Sequence, residues 1–253
     1  MNMLMRYTDE GRKRRLFVVS DIHGHYTAMK KALDEAGFDE ENESHVFVCC
    51  GDLFDRGREN RKVFNYVRRL KRKILIRGNH DERLGEILTE KRIQHFDLYN
   101  GTDLTLEEFF GADSIDAHGR LTFPKWGRMA GHLLEFLDSM LDYYETEHYI
   151  FVHGWIPVEL EGRTPRLLEN WREANAEQWQ DARFLEWQQL YGTPAMPEGK
   201  TLVCGHRTAS LGRMFDPSRD PEDSGIFRGE GMIAIDACTV RSGRVNVLVL
   251  EDF

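Results

Sequence analysis

An apolar run over 46–50 is followed by a charged turn in the stretch Val46-Phe47-Val48-Cys49-Cys50-Gly51-Asp52-Leu53-Phe54-Asp55-Arg56-Gly57. The turn begins at Gly51 and ends at Gly57. A short, nearly continuous apolar run is typical of a strand that is covered on both faces. Asp52, Asp55 and Arg56 follow where this strand ends. The stretch therefore predicts a buried strand that carries two carboxylates and a guanidinium to one edge of a sheet.

Similar apolar runs recur along the whole chain. Besides 46–49, they are found at 16–19, 74–76, 149–152, 201–204, 232–235 and 245–250. Apolar residues at helical spacing occupy 26–36 and 60–73, between the first three runs. This alternation predicts an α/β layered fold. The last two runs are joined through the turn-like Arg241-Ser242-Gly243-Arg244, which predicts an antiparallel hairpin and hence mixed sheets.

Three longer stretches interrupt the alternation. Residues 83–144 are predicted to form a mainly helical insert, with a helix start at Thr102-Asp103 and an amphipathic segment over 128–141. Residues 170–191 also have a helical pattern, and their tryptophans indicate core packing. Residues 211–231 are rich in Gly, Asp, Pro and Ser and predict a mobile loop. We expect a single domain over 1–253.

Composition narrows the class of protein. The chain has 253 residues, of which 41% are hydrophobic and 30% charged, with a net charge of −9. The acidic balance argues against a nucleic-acid binder. No apolar run approaches the roughly 20 residues of a membrane span, and the solvated lead-in over 1–15 lacks a signal-peptide pattern. We therefore expect a cytoplasmic protein without membrane contact, and packed, reduced thiols at Cys49, Cys50, Cys204 and Cys238.

Polar residues follow five of the predicted strands. They are Asp21 and His23, then Asp52, Asp55 and Arg56, then Asn79 and His80, then His153, and finally His206. In open α/β sheets, ligands bind outside the carboxyl ends of the strands. Each residue alone is better explained as a structural turn or hydrogen-bonded side chain. Together they predict one site, because burying so many carboxylates and imidazoles is costly without cations.

The motifs Asp21-x-His23-Gly24, 51–57 and Gly78-Asn79-His80-Asp81, followed by His153 and His206, resemble those of the calcineurin-like metallophosphoesterases. Within that superfamily they are similar to the phosphoprotein phosphatases, especially the bacterial serine/threonine members. The resemblance extends from Asp21 to about residue 240. It implies a β-sandwich of mixed sheets that is flanked by helices.

The resemblance also implies two divalent metal ions. Their expected ligands are Asp21 and His23 for the first ion, Asp52 as the bridge, and Asn79, His153 and His206 for the second. Oxygen and nitrogen ligands suit manganese, iron or zinc better than a thiolate-preferring metal, and manganese is the principal expectation.

The implied mechanism is direct attack of a metal-bridging hydroxide on phosphorus. His80 is expected to protonate the leaving oxygen, Asp55 to orient His80, and Arg56 to bind phosphate oxygens. The family implies a second phosphate-binding arginine. Arg172 is the predicted residue, and Arg163 and Arg166 are its rivals.

The substrate remains open between two related classes. Gly78-Asn79-His80-Asp81 is typical of the symmetrical diadenosine polyphosphate hydrolases, whereas protein phosphatases commonly have glutamate at the position of Asp81. Those hydrolases, however, usually lack an aspartate at the position of Asp55. The pattern favours a serine/threonine phosphoprotein phosphatase, with a dinucleoside polyphosphate hydrolase as the alternative. The sequence does not indicate an oligomeric state.

Overall fold

The computed structural model describes residues 14–122, 127–220 and 222–252. The predicted lead-in lies outside the described residues, except for Arg14 and Arg15, which begin the first strand. In the described part, the strands are β1 (Arg14–Val19), β2 (His45–Cys50), β3 (Lys73–Ile76), β4 (Tyr144–Glu145), β5 (Tyr149–Phe151), β6 (Val158–Glu161), β7 (Thr164–Leu167), β8 (Thr201–Cys204), β9 (Phe227–Gly229), β10 (Met232–Ala234) and β11 (Leu248–Asp252).

The helices of the described residues complete the element order. They are α1 (Tyr26–Glu35), α2 (Asn60–Arg69), α3 (Asn79–Glu90), α4 (His95–Tyr99), α5 (Thr102–Phe110), α6 (Gly127–Asp138), α7 (Ala176–Arg183), α8 (Trp187–Leu190) and α9 (Thr239–Ser242). Short 3-10 turns lie at Ala112–Ser114, Trp171–Glu173 and Ala209–Met214.

Two mixed sheets form the centre of the molecule. The first has the strand order β11-β1-β2-β3, in which β1, β2 and β3 are parallel and β11 is antiparallel. The second has the order β4-β5-β8-β10-β9, with a parallel core of β5, β8 and β10. The facing sides of the two sheets share one apolar cluster, to which Val18, Val48 and Ile76 contribute from the first sheet and Phe151 and Val203 from the second. The arrangement is a sandwich, as expected.

Helices cover the outer faces of the sandwich. Against the first sheet, side chains such as Met29 of α1, Val63 of α2 and Leu84 of α3 form one cluster. Against the second sheet, Trp179 and Trp187 of α7 and α8 form another. Burial on both faces explains why the central strands have continuous apolar sequences rather than alternating ones.

All seven predicted strands are present in the structure. The predicted C-terminal hairpin is wrong: β10 pairs with β8 and β9, whereas β11 pairs antiparallel with β1 in the other sheet. The link between them contains α9 and crosses from one sheet to the other, because the backbone of β11 pairs with an edge of β1 that would otherwise be open, and Leu248 and Leu250 join the cluster between the sheets.

Other expectations differ in detail. The segment 83–144 contains most of α3 together with α4, α5 and α6, and α5 begins at the predicted Thr102. The segment 170–191 is divided into a 3-10 turn and two short helices. The predicted loop over 211–231 contains the strand β9, and Phe227 of this strand packs on Trp187.

The cysteine and membrane expectations are also addressed by the structure. All four cysteines are free, and Cys49, Cys50 and Cys204 are buried in strands, as expected. Among the helices of the described ranges, none has the length and apolar character that crossing a bilayer requires. The single-domain organisation of 1–253 remains a prediction.

Candidate metal centre

The predicted site residues meet at the carboxyl ends of parallel strands from both sheets. Asp21 and His23 follow β1, Asp52 follows β2, Asn79 begins the helix after β3, His153 follows β5, and His206 follows β8. Parallel strands that point the same way bring their final turns to one edge, so residues distant in sequence become neighbours.

The first group of donor atoms lies on the side of β1. His23 Nε2 is 3.9 Å from Asp21 Oδ1 and 3.6 Å from Asp52 Oδ2. All three side chains are buried, with at most 3% of each residue exposed. Two carboxylates and an imidazole at this spacing can hold a divalent cation.

The second group shares an atom with the first. Asp52 Oδ2 is also 3.5 Å from His153 Nε2. Asn79 Oδ1 lies 2.9 Å from that same nitrogen and 3.1 Å from His206 Nδ1. Because Asp52 Oδ2 belongs to both groups, the donor set is suited to two adjacent ions bridged by one carboxylate.

Backbone carbonyls orient the imidazoles toward the cluster. His23 Nδ1 lies 3.0 Å from the carbonyl oxygen of Phe54, and His153 Nδ1 lies 2.8 Å from that of Cys50. In each ring the nitrogen away from the cluster donates to a carbonyl, which leaves Nε2 as a lone-pair donor toward the cluster. This is the arrangement that metal-ligating histidines commonly have.

Burial keeps the imidazoles of the cluster neutral. It lowers the pKa of His23 to about 3 and that of His206 to about 4, and it also lowers the pKa of His153. A metal ligand must be deprotonated. The three rings therefore have their donor lone pairs available at neutral pH.

The ionised carboxylate of Asp21 is disfavoured by burial and by neighbouring carboxylates. Burial, followed by the nearby carboxylates of Asp236 and Asp52, raises the pKa of Asp21 well above its ordinary value. Its Oδ2 accepts hydrogen bonds from the backbone N–H of His206 at 2.9 Å and the Ser20 hydroxyl at 2.5 Å, and Oδ1 faces His23. A cation would relieve this repulsion, so the residues fit a metal site on electrostatic as well as geometric grounds.

His80 lies beside His23 and Asp52 and forms a buried pair with Asp55. Nδ1 of His80 lies 2.8 Å from Asp55 Oδ2. The same carboxylate accepts hydrogen bonds from the hydroxyls of Thr102 at 2.9 Å and Thr105 at 2.8 Å, both on α5. The helical insert thus holds Asp55 rigidly, and Asp55 in turn fixes the ring orientation of His80.

The carboxylates around His80 favour its protonated form, whereas burial and the Arg56 guanidinium oppose it. Burial would lower the pKa of His80, but the carboxylates of Asp52 and Asp55 outweigh it and raise that pKa above 6.5. The exposed Arg56 places Nη2 at 3.1 Å from His80 Nε2. His80 is therefore an imidazole that can carry a proton at the edge of the donor set, next to a guanidinium that can bind an anion.

Several of these residues have a strained backbone. Positive φ angles between 46° and 73° occur at Asp21, His23, Asp52, Asp55, Arg56 and His206. This left-handed region costs free energy in residues that have a Cβ. Such strain concentrates at functional sites, where the surrounding structure holds it in place.

Asp81 holds the turn beneath the bridging carboxylate. Its side chain is buried and accepts hydrogen bonds from the backbone N–H groups of Asp52 at 2.8 Å, Leu53 at 3.1 Å and Gly78 at 3.0 Å. A Cβ at Gly78 would clash with the Asp52 side chain. The glycine therefore allows β2 and β3 to bring Asp52 and Asn79 together.

The structure does not bring the predicted second arginine to the cluster. Arg172 forms a two-pronged ion pair with Glu145, at 2.8 and 2.6 Å, and lies over the Trp171 ring. Glu145 also pairs with Lys200, just before β8, whereas His206 follows the end of that strand. Arg172 thus lies toward the opposite end of the strands.

The rival arginines lie on the exposed hairpin of β6 and β7. Arg163 is exposed in the turn between β6 and β7, and Arg166 of β7 is exposed and pairs with Glu161. Among the predicted phosphate-binding arginines, Arg56 is the one that the structure places beside His80.

The sequence reasoning missed several supporting residues. Thr102 was predicted only as part of a helix start, Thr105 was not singled out, and Asp236 was overlooked although it follows β10 as the other site residues follow their strands. Its position just after a predicted strand could have identified Asp236 as a candidate site residue. The two threonines had no such signal, because they are separated from Asp55 by 47 and 50 positions of sequence.

A family model for the calcineurin-like phosphoesterases matches residues 14–212. This chain belongs to that family. The match contains every donor of the cluster together with His80, Asp55 and Arg56.

Curated relatives match parts of the chain. A symmetrical bis(5'-nucleosyl)-tetraphosphatase of Buchnera aphidicola (from Schizaphis graminum) is 28% identical over 114 residues, which is 45% of this chain and 37% of the relative. The enzyme of the same name from Aeromonas salmonicida is 41% identical over 64 residues, 25% of this chain and 23% of the relative. The alignments thus span well under half of these relatives.

Solved structures share the fold at low identity. A protein provisionally named a diadenosine tetraphosphatase has a TM-score of 0.53 at 18% identity, covering 95% of this chain and 94% of the other. A serine/threonine phosphatase of Saccharomyces cerevisiae has a TM-score of 0.53 at 12% identity, covering 94% and 79%. At these sequence identities the similarity shows a shared fold and nothing about the substrate.

Proposed function

We propose that this chain is a metal-dependent phosphoesterase that hydrolyses phosphate monoesters on serine and threonine side chains of proteins. The pairing of His80 with Asp55 at 2.8 Å, beside the donor set that shares Asp52, carries this proposal. An alkoxide is a poor leaving group, so its departure requires a positioned acid. The proposed substrate is a phosphorylated protein in the cytoplasm.

Two divalent ions are the proposed cofactors, with manganese favoured over iron or zinc. The proposed ligands are Asp21 and His23 for one ion, Asn79, His153 and His206 for the other, and Asp52 for both. Such ions, when bound, supply charge stabilisation at phosphate oxygens and a nucleophilic water at neutral pH.

The side chains around His80 perform the proton transfer in this proposal. Arg56 Nη2 is near His80 Nε2, which makes that nitrogen a hydrogen-bond acceptor. A phosphate is a stronger, charge-assisted partner for the guanidinium and frees Nε2 to carry a proton. His80, held through Nδ1 by Asp55, then donates this proton to the leaving oxygen.

A second candidate is hydrolysis of a dinucleoside polyphosphate. The curated relatives carry that activity in their names, and the Gly78-Asn79-His80-Asp81 motif is typical of that class. The candidate differs in its leaving group, which is a nucleotide phosphate. Such a group departs as a stable anion and depends less on an acid such as His80.

Phosphate release from a phosphoserine/phosphothreonine peptide and turnover of diadenosine tetraphosphate by the manganese-loaded protein test the two candidates side by side. Asp52→Asn removes the shared oxygen and is expected to abolish turnover. Asp116→Asn is the control, because Asp116 is a surface carboxylate that pairs with Arg120. Peptide turnover at least tenfold above dinucleotide turnover supports the proposal, and the reverse preference supports the second candidate.

A further inference from the structure

The short helix α4 of the insert ends against the backbone of Arg56. The carbonyl oxygen of Asn100, the residue after α4, accepts a hydrogen bond from the backbone N–H of Arg56 at 3.1 Å. A Cβ at Gly101 would lie 2.8 Å from that same nitrogen. The chain that leaves α4 therefore contacts the residue whose guanidinium lies beside His80.

The inner face of α4 is held by a buried ion pair. Asp97 is 0% exposed, and its carboxylate accepts two hydrogen bonds from the guanidinium of Arg83, at 2.9 and 3.0 Å. A two-pronged pair of this kind fixes orientation as well as distance. Arg83 belongs to α3, which begins with Asn79 and His80. The pair therefore holds α4 in a defined position relative to the metal centre.

The outer face of α4 exposes apolar surface. Leu98 is 45% exposed and Tyr99 is 81% exposed. The Tyr99 ring meets the His95 ring edge-to-face at a centroid distance of 5.2 Å. Residues 95, 98 and 99 share one face of the helix because they are three and four positions apart. Exposed apolar surface with a polar rim is typical of an interaction site.

A cavity of about 540 Å³ continues this face, and we call it the α4 cavity. Its lining includes apolar residues and N–H donors, namely Ile93, Leu98, Arg92, His95 and His118. Glu90 also lines it, but the carboxylate of Glu90 lies 4.0 Å from the guanidinium of Arg83. The volume is within the range of ligand sites, about 300–1,000 Å³. The lining therefore suits an apolar group that is accompanied by a carboxylate.

We propose that the α4 cavity binds the substrate polypeptide, through an apolar side chain next to an acidic one, close in sequence to the phosphorylated residue. This inference rests on the proposed function and adds a sequence preference to it. Arg56 binds the phosphate, and α4, whose end contacts Arg56, binds the flanking peptide. The whole chain has a net charge of −9, so an acidic peptide is attracted only locally, by donors such as Arg92.

The geometry limits where the apolar residue lies in the substrate. Leu98 precedes Asn100 by two positions, which is a rise of about 3 Å in a helix. A peptide that reaches from the Arg56 guanidinium to Leu98 crosses this distance and at most one extended arginine side chain. An extended peptide advances about 3.3 Å per residue, so we expect the apolar residue about two to five positions from the phosphoserine.

Turnover of matched phosphoserine peptides by the manganese-loaded protein tests this preference. The parent peptide has alanine around the phosphoserine, and its derivatives carry a Leu-Glu pair at successive positions on either side. We expect one placement within five positions to raise kcat/KM about tenfold, mainly through a lower KM, because the cavity binds ground state and transition state alike. Leu98→Ala should remove most of this gain.

A charge exchange tests the role of Arg92 by a gain rather than a loss. In Arg92→Glu the preferred peptide should change from Leu-Glu to Leu-Lys at the same placement, because the new carboxylate repels the old partner and attracts the new one. We expect the ratio of kcat/KM for the two peptides to change about tenfold, the scale of two exposed ion pairs. The controls are Arg228→Glu on β9 and Leu160→Ala on β6, both at exposed positions, and they should retain the wild-type preference.

Three outcomes would overturn the inference. Turnover of the alanine parent without a preferred placement, or a Leu-Glu preference that survives both Leu98→Ala and Arg92→Glu, overturns the inference alone. Absence of turnover on every phosphoserine peptide overturns the proposed function with it. A KM for diadenosine tetraphosphate that rises in Leu98→Ala, while peptide kinetics stay unchanged, assigns the α4 cavity to a nucleoside instead.

Discussion

The backbone N–H of His206 donates a 2.9 Å hydrogen bond to Asp21 Oδ2 across 185 positions of sequence. Asp21 follows β1 of the first sheet, and His206 follows β8 of the second. The bond therefore joins the two sheets at the edge where the donor atoms lie. A donor set divided between two sheets forms only when the sandwich is packed, which makes the site sensitive to changes that separate them.

Asp55→Asn tests the positioning of His80. The amide cannot stabilise a protonated ring as the carboxylate does, so we expect kcat on a phosphoserine peptide to fall about 10²–10⁴-fold. The loss should be smaller on p-nitrophenyl phosphate, whose leaving group needs little protonation. Steady-state kinetics on both substrates measures this, and equal losses would contradict the role of His80 as acid. Thr105→Val, which removes one bond to Asp55 Oδ1, should show a smaller effect.

Manganese should stabilise the folded protein through Asp52. At a free concentration of about 100 times Kd, one site adds about 2.7 kcal/mol, which corresponds to a rise in Tm of roughly 5–10 °C for a chain of this size. Thermal unfolding of chelator-treated protein, with and without added manganese, measures the rise. In Asp52→Asn it should largely disappear, because the oxygen shared by both donor groups is lost. A full rise in that variant would place the ion elsewhere.

Gly78→Ala should disturb the site by overpacking. The new Cβ would clash with Asp52, and we expect a loss of about 1–3 kcal/mol in the free energy of unfolding together with weaker manganese binding. Gly131→Ala is the matched control, because Gly131 lies inside α6 with open space around its Cβ position. That change should stabilise the protein by about 0.5–1 kcal/mol. Denaturant unfolding measures the free energy of unfolding of both variants. An unchanged free energy in Gly78→Ala would contradict the packing argument.

His45 should make stability depend on pH below neutrality. Burial, then the charge of Arg15, lowers the pKa of His45 below 6.5 in the folded protein, where its Nδ1 accepts a hydrogen bond from the backbone N–H of Asp39. The unfolded chain binds the proton first as pH falls. Stability that is fully present above pH 6.5 is therefore lost as pH decreases toward the folded pKa, by at most about 1.4 kcal/mol per unit.

Urea unfolding of the wild type and His45→Gln at pH 7.5 and 5.5 measures this contribution. The difference in stability between wild type and variant should shrink at the lower pH. Groups that titrate elsewhere contribute equally to both proteins and cancel in the comparison. A difference that stays constant would show that His45 does not titrate as described.

The strands and the main site residues were predictable because their signals are local. A continuous apolar run such as 46–49 identifies a strand covered on both faces, and the residue type directly after it identifies Asp52. The pairing of β11 was not predictable in this way. The turn-like Arg241–Arg244 suggested a hairpin, but the free edge of β1 lies in the other sheet and is invisible to local pattern.

The sequence by itself determined the strands, the alternation with helices and the residues that follow each strand, because these depend on the periodicity and chemistry of neighbouring residues. The motifs already implied Asp52 as the bridge, and the tertiary structure showed that its Oδ2 lies near both donor groups. Only the tertiary structure decided that α5 holds Asp55 and that Arg172 pairs with Glu145. It also decided that Asn100, at the end of α4, contacts Arg56. These contacts form when two sheets and an insert pack together, and packing depends on burial and shape across the whole chain rather than on any single segment.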